Sequence, residues 1–211
     1  MSRLVCGVGV NDADYTLNIW ETTGHVDGKQ KQRQVWVCPF YQTWKSMLER
    51  CFSEELKAKH PTYKDVTCCE EWLLFSDFKR WMEQQDWEGR QLDKDILVLD
   101  NKVYSPETCA FVSSVTNTFI TARDASRGKY PLGVYWSTWG KKFRAQCRNP
   151  FTKKKEHLGY FDCSKEAHEA WRKRKHELAQ LVAELETDIR VVEALKRRYN
   201  VEEWYSSAVK Y

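Results

Sequence analysis

The sequence predicts an α+β protein built in two parts, and three observations carry that prediction. Apolar residues recur at three- and four-residue spacing through much of residues 1–122, the period of helices packed on a core. Phe143–Arg148 alternates strictly between apolar and polar residues, the period of a strand with one covered face. From Ser164 to the C-terminus neither Pro nor Gly interrupts an apolar stripe at helical spacing. The expected architecture is an N-terminal helical module over residues 1–122 that contains a strand–strand–helix element. Residues 123–211 then supply a basic three-stranded antiparallel sheet packed on a long C-terminal helix.

Taken in order, Leu4, Cys6 and Val8, then Tyr15, Leu17 and Ile19, alternate weakly before the β-prone run Gln34–Val37. They read as short strands with a hairpin around His25–Gly28. Tyr41, Trp44, Met47, Leu48, Cys51 and Phe52 mark one face of a helix, which Pro61 interrupts. Helical spacing resumes from Cys69 to Gln85 through Trp72, Phe75, Phe78, Trp81 and Met82, an aromatic stripe that reads as core. Leu92–Leu99 is strand-like and turns at Asp100-Asn101. A second strand starts near Lys102-Val103-Tyr104, and Ser113–Ile120 reads as a helix capped by its Ser. Asp124–Tyr130 is the expected linker. The final stripe runs through Trp171, Leu178, Leu181, Val182, Leu185, Ile189, Val192 and Leu195, with Ser164 as N-cap. It predicts one helix, or two broken near Thr187-Asp188, packed on the chain's own sheet or serving as a dimer seam.

No run of eighteen apolar residues exists, so no membrane-spanning helix is expected, and the first residues lack the apolar core of a secretory signal. The eight Cys include the neighbours Cys68 and Cys69, which suits reduced thiols in a cytoplasmic protein. Charge is unevenly placed. Residues 1–122 carry 14 Lys/Arg against 18 Asp/Glu, whereas residues 123–160 carry 10 against 2. A cationic block of that kind is a footprint for phosphate, and hence for double-stranded DNA.

Alternation places Phe143, Ala145 and Cys147 on one side of the basic sheet and Arg144, Gln146 and Arg148 on the other. The preceding run Gly133–Trp139 can put Tyr135, Ser137 and Trp139 on the polar side. Leu158, Phe161, Ala167 and Trp171 fit the apolar side. Guanidinium groups can fork onto guanine and an amide can pair with adenine, so the bare side has the chemistry to read bases. Lys141, Lys142, Lys153, Lys154 and Lys155 fall at the turns, where phosphates would lie.

The pattern GV-x4-WGKKFRAQCRNPFTKKKEHLGYFD-x4-A-x2-AW resembles the plant ethylene-response-factor (Apetala-type) DNA-binding domain, also found in phage nucleases. That resemblance covers about 45 residues and implies a three-stranded sheet lying in the major groove. By position, Tyr135, Ser137, Trp139, Arg144, Gln146 and Arg148 take the base-reading role, with Tyr135 and Ser137 standing where plant members carry Arg.

A second resemblance runs over roughly residues 38–120. Leu92-Asp93-Lys94-Asp95, then Tyr104-Ser105-Pro106-Glu107-Thr108-Cys109-Ala110-Phe111, then Asn117 is similar to a phage branch of the HNH (His-Me finger) endonucleases. Such a finger holds one divalent ion, usually Mg2+, against the scissile phosphate, and a His takes a proton from water. Carried over, Asp93 and Asn117 become metal ligands, Lys94 occupies the general-base position, and Thr108 replaces a structural Asn. A solvated Lys has a pKa of about 10.4 and cannot accept that proton at neutral pH. Lys94 would then clamp the phosphate while the ion alone activates water.

Cys38, Cys51, Cys69 and Cys109 surround the finger region and could hold a structural Zn2+, or could be buried free thiols. Three functions remain open at this level. The chain could be a homing endonuclease delivered by its basic sheet, acting in the host cytoplasm if phage-encoded. It could be a catalytically silent DNA-binding regulator or architectural protein. It could bind a host protein through its acidic half.

Overall fold

The computed structural model describes residues 4–121 and 129–200, and the expected linker lies outside them apart from Lys129 and Tyr130. The chain is mixed α/β, with a three-stranded antiparallel sheet and helices at its C-terminal end. It divides into two compact units: residues 1–88 with 98–111, and residues 89–97 with 112–211.

In the first unit, β1 (Asn18–Val26) and β2 (Lys29–Val37) form an antiparallel hairpin. Its turn falls at Asp27-Gly28, both at positive φ (50° and 72°), the conformation that matches strand twist and that Asp-Gly adopts readily. The stretch before it is not a strand. Cys6 and Gly7 have φ of 52° and 78°, and the chain folds back so that Val5 and Gly9 bridge. Helix α1 (Pro39–Phe52) buries Trp44, Met47, Leu48 and Cys51, the expected face. The short α2 (Glu54–Lys59) follows.

The predicted continuous helix over 69–85 is broken. A 3-10 turn (Glu70–Leu73) ends at Leu74, which is extended (φ −97°, ψ 126°), before α3 (Phe75–Met82) begins. The break has a cause: Val10 pairs in parallel with Leu74, giving its N–H to Leu73 O and accepting from Phe75 N. Backbone hydrogen bonds that a helix would have used are spent on a distant segment. Trp44 is fully buried here and donates from Nε1 to the Trp72 carbonyl at 2.7 Å, with its ring 5.4 Å from that of Phe75. The short β3 (Thr67–Cys68) pairs in parallel with a two-residue strand, Val103–Tyr104. The second strand of the expected finger, short as its sequence suggests, is two residues long and lies beside β3.

Within the second unit, β4 (Gln91–Asp93) stops well short of Leu99. Asp93 Oδ1 accepts from the backbone N–H of Asp95 at 2.9 Å and of Ile96 at 2.7 Å, and this Asx turn ends the strand. Counting Val103–Tyr104 as β5 and Ala110–Val112 as β6, helix α4 (Ser114–Ile120) follows, with Ser113 Oγ capping Thr116 N at 3.1 Å.

The sheet comprises β7 (Val134–Ser137), β8 (Lys142–Arg148) and β9 (Lys155–Phe161) in that order, antiparallel throughout. Val134, Ala145 and Ala167 form its buried inner face, joined by Phe143, Leu158 and Phe161. Leu158 and Phe161 are three residues apart and could not share a face of a regular strand. A bulge reconciles them: Ala145 pairs with Gly159 but Gln146 pairs with His157, leaving Leu158 as the extra residue. Gly159, at φ 129°, supplies a backbone conformation that other residues rarely adopt.

Helix α5 (Ser164–Ala183) covers that inner face, and α6 (Ile189–Arg197) packs back on α5. The helix break falls where Thr187-Asp188 predicts it, with Asp188 capping Arg190 N at 2.9 Å. The first helix is capped by Cys163, whose Sγ accepts from Lys165 N at 3.3 Å, one residue earlier than expected. At the break, the buried Glu186 accepts from Arg90 Nη1 at 2.6 Å and from Ser113 N at 3.1 Å, and it binds the Thr116 hydroxyl. Three donors satisfy a carboxylate that burial would otherwise make costly, and they fix α4 against α5. Among the described residues, no helix is long and apolar enough to cross a membrane.

Truncating Trp44 removes both a large buried ring and a partner for the Trp72 carbonyl. Trp44→Ala is expected to destabilise the fold by about 3–5 kcal/mol in urea unfolding. A loss below about 1 kcal/mol would mean that this aromatic cluster does not organise the first unit.

Candidate nucleic-acid interface and finger segment

The outward face of the sheet follows from register. Tyr135 lies opposite Arg144 and Ser137 opposite Lys142 across β7 and β8. Across β8 and β9, Arg144 lies opposite Tyr160, Gln146 opposite His157, and Arg148 opposite Lys155. Arg144 therefore stands between two tyrosines, its guanidinium 6.0 Å from the Tyr135 ring centroid. Its Nε is shut from solvent and has no hydrogen-bond partner among the described residues. His157 and Tyr160 hold their rings 4.8 Å apart. The row combines aromatic rings, a guanidinium and an amide, with no carboxylate among the facing pairs.

Several sequence-placed residues sit elsewhere. Trp139 lies past the end of β7, in the turn, and is 97% exposed. Lys142 and Lys155 are the first residues of β8 and β9, where turn positions were expected. Lys142 Nζ is 3.0 Å from the Asp162 carboxylate. Lys141 and Lys153 do occupy turns, at φ 48° and 58°, and Lys154 is exposed beside the latter. Asn149 orders that second turn: its Oδ1 accepts from Phe151 N at 2.8 Å and Thr152 N at 3.1 Å. His157 and Tyr160 were missed as outward residues. Strict alternation assigned Leu158 inward and gave no sign of the bulge that sets their direction.

Gln146, Arg148, Tyr135 and Lys155 also border a cavity of about 220 Å³ at the open edge of β8, together with residues of α4 and α5. The edge is open because β7 begins only at Val134; just before it the Gly133 carbonyl meets β8, accepting from Gln146 N at 2.9 Å.

In the finger segment, burial pushes the Asp93 carboxyl above its ordinary range, and the charge of Asp95 adds to the rise. The two backbone N–H groups on Oδ1 and the charge of Lys94 act against it. Lys94 is 6% exposed and donates from Nζ to Asp95 Oδ1 at 2.6 Å. The Lys94 Nζ is thus engaged as a donor on that carboxylate. Asn117, on α4, donates from Nδ2 to the Gln91 side-chain oxygen. Gln91 and Asp93 are two residues apart on β4 and so share a face, which places Asn117 against the face that carries Asp93. One carboxylate plus one amide oxygen is a donor set a magnesium-type ion accepts, since it keeps most of its waters. Thr108, in the first unit, donates to the Val103 carbonyl at 2.7 Å and lies 3.1 Å from Ser105 Oγ, so it ties its loop.

The four cysteines are not gathered. Cys38, Cys51 and Cys109 are buried and Cys69 is partly exposed. The Cys51 thiol hydrogen-bonds Cys68, and together with burial this pushes its pKa far up. Among the described residues no group of three or more His, Cys, Asp or Glu side chains converges. Comparison with family models, with curated proteins and with solved structures gave no match.

Because its folded pKa lies above the unfolded value of 3.8, Asp93 costs stability once ionised, and that cost fades as pH falls below 3.8. Asp93→Asn keeps an acceptor for both backbone N–H groups and removes the charge. Its thermal midpoint at pH 7 should exceed the parent's by a few degrees, at about 2–4 °C per kcal/mol recovered for a chain of this size. The gain should vanish near pH 3.5. A lower midpoint at pH 7 would show that the carboxylate is favourably held.

Proposed function

We propose that this chain binds duplex DNA through the outward face of β7, β8 and β9. The observation that carries the reading is the row Tyr135–Arg144–Tyr160, which holds a guanidinium between two rings on a sheet face that α5 leaves uncovered. Gln146 and Arg148 continue the row, and Lys141, Lys153 and Lys154 stand around it, where they meet phosphates. Cations at the rim give affinity that salt weakens, while the row supplies base discrimination. The similarity in sequence to the Apetala-type domain points the same way.

A second reading, metal-dependent phosphodiester hydrolysis, is favoured by the Asx-turned Asp93 with Asn117 on its side of β4. In that reading Asp93 and Asn117 hold the ion, which neutralises the phosphate and supplies the activated water. Lys94, bound to Asp95, contributes positive charge and takes no proton. Missing a general base costs about 10²–10⁴-fold in rate, so any cleavage should be slow.

Fluorescence anisotropy over a panel of duplexes tests the binding. Arg144→Ala should relax preference at one base position by about 1–3 kcal/mol, whereas Lys154→Ala should weaken all duplexes alike and reduce the salt slope by about one. Equal losses on every duplex from both variants would overturn the base-reading face. Supercoiled plasmid incubated with Mg2+ tests the second reading. Slow nicking that Asp93→Ala abolishes supports it, and binding without nicking leaves a DNA-binding protein alone.

A further inference from the structure

The cavity at the open edge of β8 is lined by three cations, Arg148, Lys155 and Lys175, and by no carboxylate. Lys175 reaches it from α5, the covered side of the sheet, and so lies outside the outward row. Its ammonium carries three donors, and among the described residues one is used, on the Phe119 carbonyl at 3.0 Å. The rest of its surroundings are aromatic, with the Phe119 ring centroid 3.6 Å and the Tyr199 ring centroid 5.3 Å from Nζ. Burial pulls the Lys175 pKa down to about 8, the charge of Arg198 acts in the same direction, and Cys147 opposes them. Positive charge is concentrated here without a counter-charge, a state that a bound anion would relieve.

The aromatic wall is equally specific. Trp171 and Tyr199 meet edge to face at 5.7 Å and 84°. Tyr199 is held at φ 67°, an uncommon conformation for a bulky residue and one found where surroundings over-determine the backbone. Gln146 adds an amide able to pair with the edge of a base. At about 220 Å³ the space falls below the roughly 300–1,000 Å³ of drug-sized pockets and suits a single nucleotide fragment.

We propose that this cavity is a binding site for one nucleotide phosphate, in which Lys175, Arg148 and Lys155 hold the phosphate and Trp171 and Tyr199 contact the base or sugar. The site shares Tyr135, Gln146, Arg148 and Lys155 with the outward row but not Arg144, and it does not require that row to read DNA. The nucleotide has two sources, a free monophosphate or a nucleotide of a bound strand.

Calorimetric titration with deoxyadenosine monophosphate and with inorganic phosphate tests it. Both should bind, the nucleotide at least tenfold more tightly. Lys175→Met should weaken both by tenfold or more while retaining a cooperative melt. Lys155→Ala, at an exposed position, should weaken both by a smaller factor and keeps the test valid should Lys175→Met unfold. Arg144→Ala should leave nucleotide binding unchanged even where it alters DNA binding, which separates this site from the outward row. Displacement of the nucleotide by a duplex with a single-stranded end assigns the site to the strand, and its retention assigns the site to the free nucleotide; both support the pocket. Absence of heat from both ligands at millimolar concentration would overturn it, as would unchanged affinity in both lysine variants.

Discussion

Helix α5 can lie close against the sheet because the residues at the contact are small. Ala145 and Ala167 are fully buried where strand and helix meet, and Val134 completes the layer. At the start of β7, Gly133 passes under the indole of Trp171 at φ 75°, and a Cβ there would lie 2.0 Å from Trp171 Cδ1. That close approach commits one face of three strands to the interior. Every cation on those strands must then emerge on the other face or at the rim, since a charge taken into the layer without a partner would cost several kcal/mol. The basic character of the outward surface is thus a by-product of how tightly the inward one is packed.

Two ion pairs, one buried and one with its carboxylate about half exposed, shape the remainder of the second unit in different ways. Glu186 collects Arg90, Ser113 and Thr116, and through them it fixes the N-terminal end of α4, the helix that carries Asn117. Lys94 takes the adjacent Asp95 and leaves Asp93 to organise its own backbone turn. The first arrangement gives rigidity to a helix bearing a proposed ligand. The second holds the Lys94 side chain on the Asp95 carboxylate. On the proposed reading, the finger segment keeps its supports while its acid–base chemistry has been replaced by a fixed charge pair.

Much of this was legible in the sequence where local chemistry decides the outcome. The face of α1, the Asp27-Gly28 turn, the Ser113 cap and the break before α6 each follow from spacing or from one residue's side chain. The same holds for the division of β8 into an apolar and a polar edge. What could not be read depends on partners far away in the chain. Leu74 leaves the helix because Val10 claims its neighbours' hydrogen bonds, and Val103–Tyr104 finds β3 as its neighbour. The cavity beside β8 is of the same kind. Its cations come from β8, β9 and α5, and no window of consecutive residues contains them.

The extra residue in β9 has a consequence for fidelity of assembly. Sliding β9 by one position would expel the partly buried Leu158 and Phe161 from the inner face and drive Tyr160 towards Ala167, forfeiting part of the roughly 1.5–3 kcal/mol that full burial of such a side chain contributes. The kink at Leu158 and Gly159 can be seated in only one alignment, so misaligned pairings are disfavoured from both halves of the strand. The three-stranded unit is in this sense self-checking, and the order of side chains across it is protected by residues that never reach the surface row they keep in place.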